Sequence, residues 1–344
     1  MADWKKITVA LHNQKMSYAE IHRQLTDAGI DCNYNNIKWY GRTHTDPVQL
    51  DEEEAMICYK ALGFAIAKTS VASEPVEQKE EKKEKFDIVQ NFEPNVIDND
   101  WDGCATITFG LMGDTQMGSK YSQISLLHNL YDIYKSRGIA DVYHTGDITD
   151  GLKMRKGHEY ELYVTSADEM RDDVVKNYPK FDGITTHFIT GNHDASIYKL
   201  CGYDIGRAIA EKRPDMDYLG MDCAVVKLTP NCTLELRHPW DGTAYATSYK
   251  PQKMIEAMEA DSKPNILAIG HYHKAEYIFH RNVHCFQTAC LQSQTPFTRG
   301  KGISVNMGGW IITIKVDANG YIKAIIPEFI PFYTAIKDDY RNWK

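Results

Sequence analysis

One pattern governs the chain from residue 104 onward: apolar, β-branched runs that lead into a glycine followed by a polar residue able to bind a metal. Residues 104–112 lead into Gly113-Asp114, residues 139–144 into Gly146-Asp147, and residues 184–190 into Gly191-Asn192. Between the first two, residues 122–137 place Ile124, Leu127, Leu130, Ile133 and Tyr134 at helical spacing and stop at Gly138. A long polar helical stretch separates the second and third. Strands alternating with helices require crossover connections and a sheet covered by helices. Beyond residue 220 the strand candidates crowd together at 224–228, 233–236, 266–269, 277–279, 310–316 and 321–326. They predict a second, largely antiparallel sheet packed on the first. The expected fold class is an α/β sandwich flanked by helices.

A break in composition separates this region from the N-terminus. Glu77-Gln78-Lys79-Glu80-Glu81-Lys82-Lys83-Glu84-Lys85 carries eight charges in nine residues, with nothing to bury against its ordering entropy. Residues 69–98 are therefore read as a charged linker between a small all-α domain at 1–68 and the main domain at 99–344. In the first domain, Ser17 with Glu20 forms a capping-box signature ahead of Tyr18, Ile21, Leu25 and Ala28, and Gly29 ends the helix. A short helix around 37–40 follows, and Asp46-Pro47 opens a third carrying Met56, Tyr59 and Leu62. Helix, short turn, helix is the geometry of a helix-turn-helix reader. Residues 1–45 hold six basic against four acidic side chains, so a small protein-interaction domain fits the same pattern.

Composition excludes several classes. Of the 344 residues, 43% are hydrophobic and 25% charged, which excludes wholesale disorder and fibrous repeats. No apolar run approaches the roughly 18 residues of a membrane span, and no apolar segment follows Met1-Ala2-Asp3-Trp4-Lys5-Lys6. The eight cysteines include no Cys-x-x-Cys pair, as expected of reduced thiols. A cytoplasmic protein without membrane attachment is the expectation; oligomeric state is not encoded in any of these features.

In an α/β sheet, sites form outside the carboxyl ends of the strands. Four such ends here carry hard-oxygen or imidazole groups: Asp114, Asp147, Asn192 and His271. The full motifs are Asp114-Thr115-Gln116, Gly146-Asp147-Ile148-Thr149-Asp150, Gly191-Asn192-His193-Asp194 and Gly270-His271-Tyr272-His273. Their order and spacing resemble the calcineurin-like metallophosphoesterases, whose signature is Asp-x-His, Gly-Asp-x-x-Asp, Gly-Asn-His-Asp/Glu, a lone His and Gly-His-x-His. The resemblance covers about residues 104–330 and lies nearest the family's DNA-repair nucleases. His238, alone between residues 195 and 270, takes the place of the isolated histidine.

The resemblance implies two divalent ions, with Asp147 bridging them. One would be held by Asp114, Gln116, Asp147 and His273, the other by Asp147, Asn192, His238 and His271. Such ions clamp the attacking and leaving oxygens of a displacement at phosphorus and lower the pKa of bound water. His193 takes the place of the catalytic imidazole, with Asp194 expected to orient it and Asp150 to support the loop. His271 and His273 are expected to point the same way along an extended segment. The family's first motif usually ends in His, whereas this chain has Gln116; its neutral oxygen donor shifts the expected metal towards Mn²⁺, with Fe²⁺, Zn²⁺ and Mg²⁺ as alternatives. Lys120, Lys153, Arg155, Lys156, Arg299 and Lys301 are read as an electropositive substrate rim on a chain of net charge −8. The expected substrate is a phosphodiester in nucleic acid. A nucleotide or small diester, a phosphoprotein, and a non-catalytic binding module are the alternatives.

Overall fold

The structure is a computed structural model describing residues 3–13, 16–44, 48, 50, 53–54, 56–58, 94–99 and 101–344. The chain divides into two compact units, Met1–Asp87 and Ile88–Lys344. The first contains α1 (Trp4–Asn13), α2 (Tyr18–Asp27) and α3 (Tyr34–Thr43). Each helix contributes one apolar stripe to a small core of Ile7, Leu11, Ile21, Leu25 and Ile37. The Ser17 side chain caps α2 by accepting from the Glu20 amide, and Asn33 caps α3 by accepting from the Asn35 amide. The sequence reading missed α1, which Asp3 caps by accepting from the Lys5 amide. Of the expected third helix, residues 53, 54 and 56–58 are helical. Asp46, Pro47, Tyr59, Leu62 and the charged run 77–85 lie outside the described residues.

The second unit runs β1 (Asn95–Asp98), β2 (Thr106–Met112), α4 (Ile124–Ser136), β3 (Asp141–His144), α5 (Ala167–Asn177), β4 (Thr185–Thr190), α6 (Asn192–Cys201), α7 (Ile205–Ala210) and β5 (Met216–Met221). It continues with β6 (Cys223–Thr229), β7 (Cys232–Arg237), α8 (Tyr249–Ala257), β8 (Ile266–Ile269), β9 (Ala275–His280), β10 (Val283–Thr288), α9 (Pro296–Gly300), β11 (Gly308–Val316) and β12 (Ile322–Pro331). These strands form two six-stranded sheets, ordered β12-β11-β2-β3-β4-β5 and β1-β6-β7-β8-β10-β9.

Three expectations need correction. The second sheet is mixed rather than largely antiparallel: β1–β6, β7–β8 and β8–β10 are parallel pairs. The strands at 310–316 and 321–326 belong to the first sheet, where β11 pairs antiparallel with β2. Residues 95–98, assigned to the linker, form edge strand β1 in register with β6. Strand pairing partners are chosen by burial between layers, which local periodicity does not record. For the same reason β10 went unread: its last four residues are all buried, so no alternation marks it.

The sheets bury Phe109, Leu111, Tyr143 and Ile189 of one against Leu234, Leu236, Ala268 and Phe286 of the other. Each large apolar side chain so buried contributes about 1.5–3 kcal/mol. On the outer face of the first sheet, Leu127, Leu130 and Tyr134 of α4 pack with Val174 of α5 and Ile205 of α7. Because β2, β3 and β4 are mutually parallel, their C-terminal ends open on one edge; β7 and β8, also parallel, end beside each other. No helix among the described residues is long and apolar enough to cross a membrane. All eight cysteines are free thiols.

On the first sheet, His187 of β4 lies between Asp141 of β3 and Asp217 of β5, 3.0 Å from each. Burial opposes its charge, but the two carboxylates outweigh burial and raise its pKa to about 9. The raised folded-state pKa means the stabilisation is full below the unfolded value near 6.5 and is lost as pH rises through about 9. Denaturant titrations should show about 1–2 kcal/mol of stability disappearing between pH 6.5 and 9.5, discounted for the half-exposed carboxylates. In His187→Gln that component of the slope should be absent; an identical slope would place the loss elsewhere.

Candidate metal centre

The loops after β2 and β3 are zipped together. The Asp114 amide donates to the Gly146 carbonyl at 3.0 Å, Gln116 to Asp147 at 3.0 Å, and Met117 to Ile148 at 2.8 Å. This pairing forces side chains inward at unusual backbone angles. Asp114, Gln116, Asp147, His271 and His273 all have φ between 50° and 75°. A non-glycine residue held there stores on the order of 1–3 kcal/mol, and such strain concentrates where function requires it. His271 and His273 therefore reach the site from a tight turn, not from the extended segment the sequence predicts. The Tyr272 amide donates to the Gly270 carbonyl, and the Tyr272 hydroxyl turns away to Asp241.

All seven expected ligands converge between the C-terminal ends of the two sheets. Asp147 Oδ2 lies 3.0 Å from Gln116 Nε2 and 3.3 Å from His238 Nε2. On one side, His273 Nε2 is 3.3 Å from Asp114 Oδ1. On the other, His238 Nε2 is 3.0 Å from Asn192 Oδ1, and Asp147, His238 and His271 group their donor atoms within 4.8 Å. Asp147 is thus shared by two sets of donors. The five motifs singled out in the sequence meet at one point of this fold.

Glycines make the convergence possible. A Cβ at Gly191 would lie 2.3 Å from Asp147 Oδ1 and 2.7 Å from the His238 ring, so only hydrogen fits there. His238 Nδ1 donates to the Thr145 carbonyl at 2.7 Å, which leaves Nε2 as the donor atom facing Asp147. His271 Nε2 is bonded to the Asp241 carbonyl at 2.6 Å, leaving Nδ1.

The donors fit divalent ions. The Gln116 carbonyl oxygen is buried without a hydrogen-bond partner, beside the Asp147 carboxylate. Two carboxylates, two amide oxygens and three imidazoles suit manganese, iron or zinc. The charge balance agrees: burial disfavours ionised Asp147, yet the surrounding imidazoles hold it well below the usual carboxylate range.

The structure reassigns the partner of His193. Its Nδ1 lies 2.7 Å from the Asp150 carbonyl and 3.2 Å from Asp150 Oδ1. Asp194, expected to orient it, instead accepts from the Ile148, Thr149 and Gly191 amides and the Thr149 hydroxyl, and so fastens the β3 loop to α6. Helix geometry explains the exchange: adjacent residues on α6 point to different sides. Burial opposes charge on His193, while Asp147 and Asp150 raise its pKa to about 9. His158, which the sequence reading did not single out, is fully buried with Nε2 3.4 Å from Asp150 Oδ2. No spacing rule marks it, because an irregular loop brings it there.

A cleft of about 340 Å³ opens on Asp147, His193, His271 and His273. Of the six basic rim residues, Arg155 and Lys301 line it; Lys120, Lys153, Lys156 and Arg299 do not. Arg155 is ion-paired with Glu161, and Lys120 donates to the Tyr160 carbonyl. The cleft is therefore less positive than the rim's composition implies, since only two of the six line it and one of those, Arg155, is matched by Glu161 within its own loop.

No family model matches the chain, and no curated protein matches it. Among solved structures, an archaeal phosphodiesterase is similar over 65% of this chain and 100% of its own, at 12% identity and a TM-score of 0.38. A zinc complex of Vps29 from Entamoeba histolytica is similar over 65% of this chain and 99% of its own, at 13% identity and a TM-score of 0.31. A 5'-nucleotidase precursor from Thermus thermophilus is similar over 69% of this chain and 57% of its own, at 13% identity and a TM-score of 0.35.

Metal binding at this centre should release protons. In the metal-free site, burial lowers and Asp147 and Asp114 raise the pKa of His238, to a net value of about 9; Asp114 likewise helps carry His273 well above its usual value. Divalent ions displace those protons, so affinity should rise about tenfold per pH unit for each proton displaced below pH 9. Calorimetric titration with Mn²⁺ in buffers of different ionisation enthalpy checks this. Heats that do not depend on buffer would mean that the histidines are not ligands.

Proposed function

We propose that residues 104–330 form a calcineurin-like metallophosphoesterase that binds two divalent ions, manganese foremost, and hydrolyses phosphodiester bonds in nucleic acid. The observation that carries this reading is the sharing of Asp147 by two donor sets at the floor of an open cleft. Bound there, the ions would polarise phosphoryl oxygens and supply an activated water. The chain's own residues do the rest. Asp150 holds His193 by Nδ1, which leaves Nε2 for a substrate oxygen. The Asp150 carboxylate beside Nδ1 favours the protonated imidazole, which can give its proton to the leaving alkoxide. Lys301 at the cleft can meet a neighbouring phosphate.

The substrate class rests on the N-terminal unit as well. A six-residue connection joins α2 to α3, and α3 leaves Asn35, Asn36, Trp39 and Arg42 exposed, Trp39 at 64%. Amide, guanidinium and indole groups on one short helix suit a nucleic-acid groove. Reduced thiols agree with a cytoplasmic setting.

Hydrolysis of bis-p-nitrophenyl phosphate and of labelled DNA and RNA, with and without Mn²⁺, tests the reading. Asp147→Asn should lower turnover by orders of magnitude while the fold persists by circular dichroism; activity near that of the unaltered protein would defeat the two-ion centre. His193→Asn should retain metal by mass spectrometry and lose about 10²–10⁴-fold in kcat. Loss of an ion in that variant would make His193 a ligand instead.

A further inference from the structure

The cleft holds a group that phosphoryl chemistry does not require. Phe297 lines it beside Asp147 and His193, and remains 40% exposed. The Arg155 guanidinium carbon sits over its ring, 4.2 Å from the centroid. Arg155 is itself fixed by the ion pair with Glu161, so its charge is already matched and it serves as a wall behind the ring.

The backbone under Phe297 is equally constrained. It belongs to α9, which begins with Pro296 and is capped at Thr295. Thr295 and Thr298 bond each other's amides, at 2.9 and 3.2 Å. A large apolar ring kept on the cleft by a capped turn on one side and a pinned guanidinium on another is ordered before any ligand arrives, and ordering is what a binding surface otherwise has to supply.

We infer that Phe297, backed by Arg155, is a stacking platform for a nucleobase flanking the scissile phosphate. This deepens the phosphodiesterase reading above and rests on it. An aromatic ring offers its face to any of the bases, so the platform selects base-bearing diesters without selecting sequence. The arrangement also explains why Arg155 lies in the cleft yet is not free to clamp a phosphate.

Two substrates separate the possibilities: a dithymidine phosphodiester, and the same diester with abasic deoxyribose at both positions. With Mn²⁺, the unaltered protein should favour the base-bearing diester by about 5- to 150-fold in kcat/KM, expressed mainly in KM, the range that stacking on an aromatic side chain supplies. Phe297→Ala should bring that ratio close to one, and Phe297→Trp should keep it. Equal kcat/KM for both diesters, or a ratio that survives Phe297→Ala, overturns the platform. Cleavage of bis-p-nitrophenyl phosphate but of neither dinucleotide also overturns it while sparing the phosphodiesterase reading. Failure on all three substrates, with metal bound, overturns the phosphodiesterase reading itself. Base-independent turnover of a phosphoserine peptide alone would assign the cleft to a different class of substrate.

Discussion

Everything at the functional edge of the large unit depends on burying the carboxylate of Asp147. Asp114, Asp147 and Asp150, on adjacent loops, and Asp194, in the first turn of α6, are all nearly inaccessible to solvent. Isolated carboxylates could not be buried so deeply, because desolvation would cost several kcal/mol apiece. Each is answered differently. Asp194 takes three backbone amides and a hydroxyl, Asp150 takes His193 and His158, and Asp147 and Asp114 face histidines from the opposite sheet. Among the proposed ligands the Gln116 oxygen is left buried without a hydrogen-bond partner, and a divalent ion would satisfy it.

That arrangement needs two sheets. The first delivers oxygen donors at the ends of its parallel strands β2, β3 and β4; the second delivers imidazoles after β7 and β8. Neither sheet alone carries a complete set. The apolar layer between them thus does more than stabilise: it fixes the separation across which His238 reaches Asp147. It also offsets the left-handed backbone at five of the seven donors, a strain that isolated loops would relieve by refolding.

The rim follows a different logic. Arg155 is held within the segment that bears it by the Glu161 side chain, so its positive charge is matched there, while Lys120 is tied to the Tyr160 carbonyl of the neighbouring loop. On the proposed reading, recognition would fall to shape and stacking around Phe297 and to the charge of Lys301.

Much of the centre was legible in the sequence. Asp114, Asp147, Asn192 and His271 stand at the ends of apolar runs, and a strand end is a position that local pattern can locate. The partner of His193 was not legible, because Asp194 is its neighbour in the chain while Asp150 is its neighbour only across two loops. His158 and Phe297 lie in segments without period, and chain folding alone brings them to the site. Strand pairing behaved likewise: β1 resembles a linker until β6 supplies its hydrogen bonds, and β11 joins the first sheet although it follows the second in the chain. The sequence by itself determined which metal-binding types of side chain stand at the strand ends, because that depends on residue type and on where an apolar run stops. Only the tertiary structure decided who orients whom, which charges stay free, and which sheet each strand enters, because those depend on the burial of surfaces from distant parts of the chain.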